Sequence, residues 1–259
     1  MSRPFGTTMN TIRANLRRLF QNAVAAAILP VAFGLPAVLM SGCATGSLDP
    51  GLTGPFHRPS NFNLTDSTLP EDVRRIAVLP LATSRPSEIT LGAGRNSLQP
   101  VLYDEILKSR LFEAIAVSEE QMAQWTGKKI WRQDEVLPAD FIVRIEDQTA
   151  CDAILFCELT SFSAYPPLAI GWKFLLVKTD GQVLWSFDDI FDAGEPQVAN
   201  SARRFEYDRE RSRFELLQQS DQRSGSVWQY RVAGSDSVDS PTHFGKYTVN
   251  AAFRTLAGR

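Results

Sequence analysis

The chain has 259 residues, 44% of them apolar, with 27 Lys+Arg against 29 Asp+Glu, two His and three Cys. That length and apolar share exclude a wholly disordered chain and allow one sizeable buried core. The near-zero charge argues against a nucleic-acid binder, which needs a basic excess. Two His and three Cys leave little material for a zinc site. The formal net charge of −2 hides opposite parts: residues 1–42 hold Arg3, Arg13, Arg17 and Arg18 and no acid, whereas the remainder holds 23 bases against 29 acids and nets −6.

The basic stretch ends at Arg18, and Leu19 to Ser41 then runs 23 residues without a charge. A basic n-region, an apolar h-region and small residues at its end are the marks of a secretory signal peptide. The run is also long enough to span a bilayer as an uncleaved anchor, although Pro30, Gly34 and Pro36 interrupt it. The deciding feature is Leu39-Met40-Ser41-Gly42-Cys43, which resembles the lipobox of bacterial lipoproteins, with Met40 where Leu is usual. The resemblance implies cleavage before Cys43 and acylation of that residue. Ala44 stands where an Asp would signal inner-membrane retention in enterobacteria, so the resemblance implies the outer membrane. Several acyl chains, each burying CH₂ groups at about 0.8 kcal/mol apiece, make a stable anchor.

Residues 44–72 are rich in Gly, Pro, Ser, Thr and Asn, with no apolar period. The expected organisation is therefore a signal peptide over 1–42, a lipidated Cys43 with a flexible linker over 43–72, and one domain over 73–259. As a coil the linker has an end-to-end distance of roughly 30 Å.

From Glu71 the texture changes. Arg74-Arg75-Ile76-Ala77-Val78-Leu79-Pro80-Leu81 reads as a buried strand. Leu98, Val101, Leu102 and Ile106 predict an amphipathic helix over 96–110, and residues 111–117 a second strand. Ser118 with Gln121 forms a capping-box pattern for a short helix stopped by Gly127. Pro138 suits the first turn of another helix, with Phe141, Ile142 and Ile145 facing inward. The apolar run from Cys151 to Leu159 predicts a central strand. Residues 168–178 follow as the next, and Asp180-Gly181 marks a two-residue hairpin into 183–192. On that last strand Val183, Trp185 and Phe187 share one face and Gln182, Ser186 and Asp188 the other. Pro196, Val198, Ala202 and Phe205 mark a helix, residues 219–240 read as loop, and Ser240-Pro241 opens a C-terminal helix. The fold class is α/β: one small mixed sheet with helices packed on it.

The strand Arg74–Pro80 after a lipoprotein linker, Leu111-Phe112-Glu113 after a helix, the Cys151–Leu155 strand and the Gly181–Trp185 hairpin together resemble a group of bacterial envelope lipoproteins. The group includes the curli-secretion CsgG-like proteins, the penicillin-binding-protein activator LpoB and the N-terminal domain of TolB. The likeness covers about residues 72–192. It implies a small α/β fold that binds other envelope components without catalysis. No long pair of alternating barrel strands accompanies it, which argues against a pore.

Few residues carry candidate chemistry. Cys151 and Cys157 lie six residues apart on one strand, about 20 Å in extended backbone, whereas a disulfide needs Cα atoms within about 7 Å. They read as small buried hydrophobes. Gly92-Ala93-Gly94 lies where a phosphate loop would sit, but Ser97 replaces the third glycine of the dinucleotide fingerprint, and the segment reads as a flexible helix entry. Asp188, Asp189, Asp192 and Glu195 cluster without EF-hand spacing, and Arg203–Arg213 mixes signs as a solvated helix does. No catalytic, cofactor or metal site is expected.

The remaining signal is aromatic. Tyr165-Pro166-Pro167 joins two strands as a stiff, exposed elbow, with Phe162 and Trp172 nearby; aromatics on rigid turns suit interfaces. The expected function is a lipid-anchored, non-catalytic interaction module in envelope assembly or maintenance, facing the periplasm from the outer membrane. Its partners are the membrane, through Cys43, and an envelope protein. The alternative is a subunit of a homo-oligomeric secretion or transport accessory. No nucleic-acid partner is expected.

Overall fold

The apolar run after Arg74 lies at the heart of a sheet in the computed structural model, which describes residues 53–66, 68–220 and 238–257. Seven strands are present among them: β1 (Phe62–Leu64), β2 (Arg75–Val78), β3 (Ala82–Thr83), β4 (Glu113–Ala116), β5 (Ala153–Ser163), β6 (Ala169–Lys178) and β7 (Val183–Asp192). Five helices accompany them: α1 (Ile89–Ser109), α2 (Glu119–Thr126), α3 (Phe141–Thr149), α4 (Pro196–Ser220) and α5 (Pro241–Leu256).

The sheet order is β1-β7-β6-β5-β2-β4, with β3 pairing β5 beyond the end of β2. β2 is parallel to both β4 and β5, as crossovers through helices require. β5, β6, β7 and β1 are successively antiparallel. The mixed sheet and its helices are those expected from the sequence.

Each face of the sheet takes alternate residues into a separate core. Ile76, Val78, Leu155, Cys157, Trp172, Phe174, Trp185 and Phe187 pack with α1, α4 and α5 on one side. Ala77, Leu79, Ile154 and Phe156 meet Met122 of α2 and Phe141 and Ile145 of α3 on the other.

Local signals act largely as read. Ser118 Oγ accepts from Gln121 N at 3.2 Å while Gln121 Oε1 accepts from Ser118 N at 2.9 Å, closing the capping box of α2. Gly127 ends that helix at φ 81°, its N–H bonded to Ala123 O. Ser240 caps α5, with proline in the first turn. Cys151 and Cys157 are free and buried in opposite cores. Burial pushes both thiols up from their ordinary pKa, so neither is poised as a nucleophile.

Four expectations need correction. α1 begins at Ile89, so Gly92-Ala93-Gly94 lies inside a helix and is not an entry loop. A Cβ on Gly94 would stand 2.5 Å from Phe162 Cγ, so close packing against β5 calls for that glycine. The β6–β7 hairpin turns through three residues: Gly181 N–H donates to Lys178 O and Lys178 N–H to Gln182 O, with Gly181 left-handed at φ 91°. That is a type I turn followed by a left-handed glycine.

On β7 a register shift pairs Val177 with Val183 and Leu176 with Trp185. Leu184 is the extra residue and is buried, while Val183 is 43% exposed rather than sharing the inner face. Finally, the stretch 43–72 contains ordered structure. Leu64 pairs with Trp185 as β1 joins the sheet, and His57 N–H donates to Gln197 O at 3.2 Å and Ser201 Oγ at 2.8 Å. Pro55 O accepts from Asn200 Nδ2 at 3.3 Å. The folded part therefore starts well before Val73.

Candidate functional site

Cys43 and the signal peptide expected over 1–42 lie outside the described residues, as does most of the 219–240 segment. The candidates Phe162, Tyr165, Pro166 and Pro167, with Trp172 nearby, lie on the β5–β6 turn and the strand ends beside it, and the fold divides them. Phe162 is half-buried, its ring against Gly94 of α1, so it belongs to packing. Trp172 is fully buried, its indole N–H donating to Thr248 Oγ1 of α5 at 2.8 Å, and it is core as well.

Tyr165 is 82% exposed, and Pro166 and Pro167 are exposed with it. The base of this turn is fixed on both sides. Ser163 Oγ–H donates to Tyr165 O at 3.0 Å. Leu168 is fully buried, and its carbonyl accepts from Ala193 N–H at 2.8 Å. The result is a phenol ring exposed to water on a turn whose backbone is anchored.

A second surface, not anticipated from the sequence, is a groove of 1170 Å³ between residues 56–62, α4 and α5. Phe56 and Phe62, 43% and 41% exposed, line it. Phe205 lies beneath the Arg209 guanidinium, 5.2 Å from ring centroid to cation, and 6.0 Å from the Tyr247 ring. Arg204 bonds Asp208 at 3.0 Å, one helical turn on. Arg209 reaches across to Glu105 of α1 at 3.0 Å, and Lys108 pairs with Asp104 and Glu105.

Tyr247 is 5% exposed, and burial pushes its phenol up to about 12. The Ser201 hydroxyl faces it, but no hydrogen bond of ordinary geometry reaches Tyr247 Oη. His57 packs edge-on against Phe191, centroids 5.4 Å apart, and its Nε2 is buried without a partner. Composition gave no hint of this groove, because it forms only when residues 56–62 fold back onto α4.

The acidic residues after the hairpin do not converge. Asp192 accepts from the Gly194 N–H at 2.7 Å, and Asp188 and Glu195 are exposed. Among the described residues no group of three His, Cys, Asp or Glu is placed to hold a metal ion. No helix among them is long and apolar enough to cross a membrane.

No family model matches the chain, and no curated protein matches it. Among solved structures, a PelC dodecamer from Paraburkholderia phytofirmans is 10% identical over 50% of this chain and 76% of its own, with a TM-score of 0.33. Lipoprotein GNA1162 from Neisseria meningitidis is 14% identical over 59% and 99%, with a TM-score of 0.33. The LpoB C-terminal domain from Salmonella enterica is 14% identical over 46% and 82%, at 0.31. The chain is thus partly similar in structure to bacterial proteins that include a lipoprotein, and at these TM-scores its role must be sought in its own residues.

Proposed function

We propose that the chain is a lipid-anchored, non-catalytic interaction module of the bacterial cell envelope. Cys43, exposed by removal of residues 1–42, carries the acyl chains at the outer membrane. The domain faces the periplasm and docks an envelope protein through Tyr165 and the Pro166–Pro167 turn. The wider grouping with CsgG-like proteins and the TolB N-terminal domain belongs to the same proposal.

The observation that carries the docking surface is the 82% exposure of Tyr165 on a turn anchored by buried Leu168. An aromatic on a turn whose backbone is already fixed loses little backbone freedom on binding, which suits it to anchor an interface. The anchor rests on the Leu39–Cys43 pattern. Nine residues, 44–52, separate Cys43 from the first described residue, and fully extended they reach at most roughly 32 Å. An anchor so short keeps the domain beside the membrane.

A photo-crosslinking amino acid placed at position 165 in the lipidated protein tests the docking surface against one at Val136, which is 95% exposed elsewhere. A discrete envelope-protein adduct from 165 and none from 136 is expected. Tyr165→Ala should then reduce co-purification of that protein by about tenfold or more, the effect of an interface anchor. The same adducts from both positions, or undiminished recovery with Tyr165→Ala, would overturn the docking role. Light scattering addresses the accessory-subunit reading: the module should be monomeric, and a stable ring or large oligomer would favour the alternative.

A further inference from the structure

The groove between residues 56–62, α4 and α5 carries five cations, Arg58, Lys108, Arg204, Arg209 and Arg254, and one acid, Asp208. Three of the cations are satisfied within the protein: Arg204 by Asp208, Arg209 by Glu105, and Lys108 by Asp104 and Glu105. Arg58 and Arg254 are exposed and form no ion pair among the described residues. Five cations against Asp104, Glu105 and Asp208, together with Asp189, whose charge reaches Tyr247, leave a local charge of +1, in a chain whose residues beyond 42 net −6. The groove is therefore a basic exception on an acidic protein.

Two further observations point to a ligand. The side chains of Tyr247 and His57 each present a buried polar atom with no partner, Oη and Nε2, and both residues line this cavity. Buried polar atoms are nearly always paired, so orphans beside a cavity call for a partner from outside. Phe56 and Phe62 hold apolar surface against water on the same lining.

We propose that this groove binds a phosphate monoester carrying an apolar group. Its phosphate is taken by the guanidiniums of Arg58 and Arg254 and the Tyr247 hydroxyl, and its apolar part lies against Phe56 and Phe62. A phosphate monoester carries −1.5 to −2 at neutral pH, about the charge the two unpaired arginines supply, and guanidinium matches phosphate geometry through paired N–H donors. The phenol of Tyr247 stays protonated throughout the neutral range, as a donor to phosphate must. The cavity, at 1170 Å³, exceeds what one small ester needs and leaves room for a chain. The site shares no lining residue with the Tyr165 turn, so either can fail without the other.

The full-length protein in neutral-detergent micelles, titrated by thermophoresis with 1-naphthyl phosphate, inorganic phosphate and 1-naphthol, tests the site. 1-Naphthyl phosphate should bind about tenfold more tightly than inorganic phosphate, and 1-naphthol should not compete with it. Arg58→Ala combined with Arg254→Ala should weaken 1-naphthyl phosphate by about tenfold or more, in keeping with loss of charge-assisted hydrogen bonds. Both arginines are exposed, so the melting temperature should hold. Tyr247→Phe should weaken binding about threefold without lowering the melting temperature, a combination that a merely structural tyrosine would not give. Arg85→Ala, outside the groove, should change nothing. Micelles of the same detergent doped with phosphatidylcholine alone or with added phosphatidic acid assign the source: competition only by phosphatidic-acid micelles identifies a lipid headgroup and competition by neither a soluble ester, either result leaving the site standing, whereas equal competition by both would overturn it. Equal affinity in wild type and the double-arginine variant, equal binding of 1-naphthol and 1-naphthyl phosphate, or no binding of any probe would overturn the proposal.

Discussion

Glu158 is 6% exposed on β5 and sits directly across from Lys173 of β6. Burial raises its carboxyl above the ordinary glutamate value, and the Gln133 backbone hydrogen bond and then the charge of Lys173 only partly offset this. The native state thus holds the proton more tightly than the unfolded chain. Stability is full below the unfolded pKa, about 4.3, and falls as pH rises from there through the raised native value. Glu158→Gln, which keeps the shape of the protonated acid, should flatten that fall. Denaturant melts of the two proteins from pH 4 to pH 8 should diverge upward in pH in favour of the variant; parallel curves would contradict the burial effect.

Two indoles tie the sheet to α5: Trp172 Nε1–H donates to Thr248 Oγ1 at 2.8 Å and Trp185 Nε1–H to Thr255 Oγ1 at 3.1 Å. Thr248→Val keeps the volume and strands one buried donor, which should cost about 1–3 kcal/mol of unfolding free energy by denaturant titration. A change within a few tenths would mean the indole finds another partner. These contacts also show why Trp172 could not be assigned from the sequence. Its partner lies 76 residues away, whereas the exposure of Tyr165 was legible from the flanking prolines.

The elements were readable where the signal is local and misread where the cause is remote. The Ser118–Gln121 box and the Ser240–Pro241 start are local, and both stand. Gly92 and Gly94 look like loop residues, yet both lie within α1, and at Gly94 the helix packs closely on Phe162 of a strand formed much later in the chain. Gly94→Ala should therefore destabilise, although alanine is the better helix former by about 1 kcal/mol. With a Cβ 2.5 Å from Phe162 Cγ, the overlap should win by about 1–3 kcal/mol. Gly92, with nothing near its Cβ position, should gain from the same change. Thermal melts of the two variants should move in opposite directions, and a common direction would contradict this packing account.

At the scale of the whole molecule, the order of strands and helices was legible because apolar runs and turn residues mark them. The closing of the sheet by β1 was not. Phe62–Leu64 is short and set among Pro, Asn and Ser, so only the free edge of β7, about 120 residues on, makes it a strand. That fold-back builds one wall of the basic groove.

The proposed lipid anchor stands or falls on Cys43, whose acylation separates it from an uncleaved membrane-spanning segment over 19–41. Metabolic labelling with an alkyne fatty acid, followed by detection on the purified protein, is the direct measurement. Label on the wild type at the mass of a chain starting at residue 43, and none on Cys43→Ser, is the expected result. Label that persists on Cys43→Ser, or an unlabelled wild type retaining residues 1–42, would contradict it.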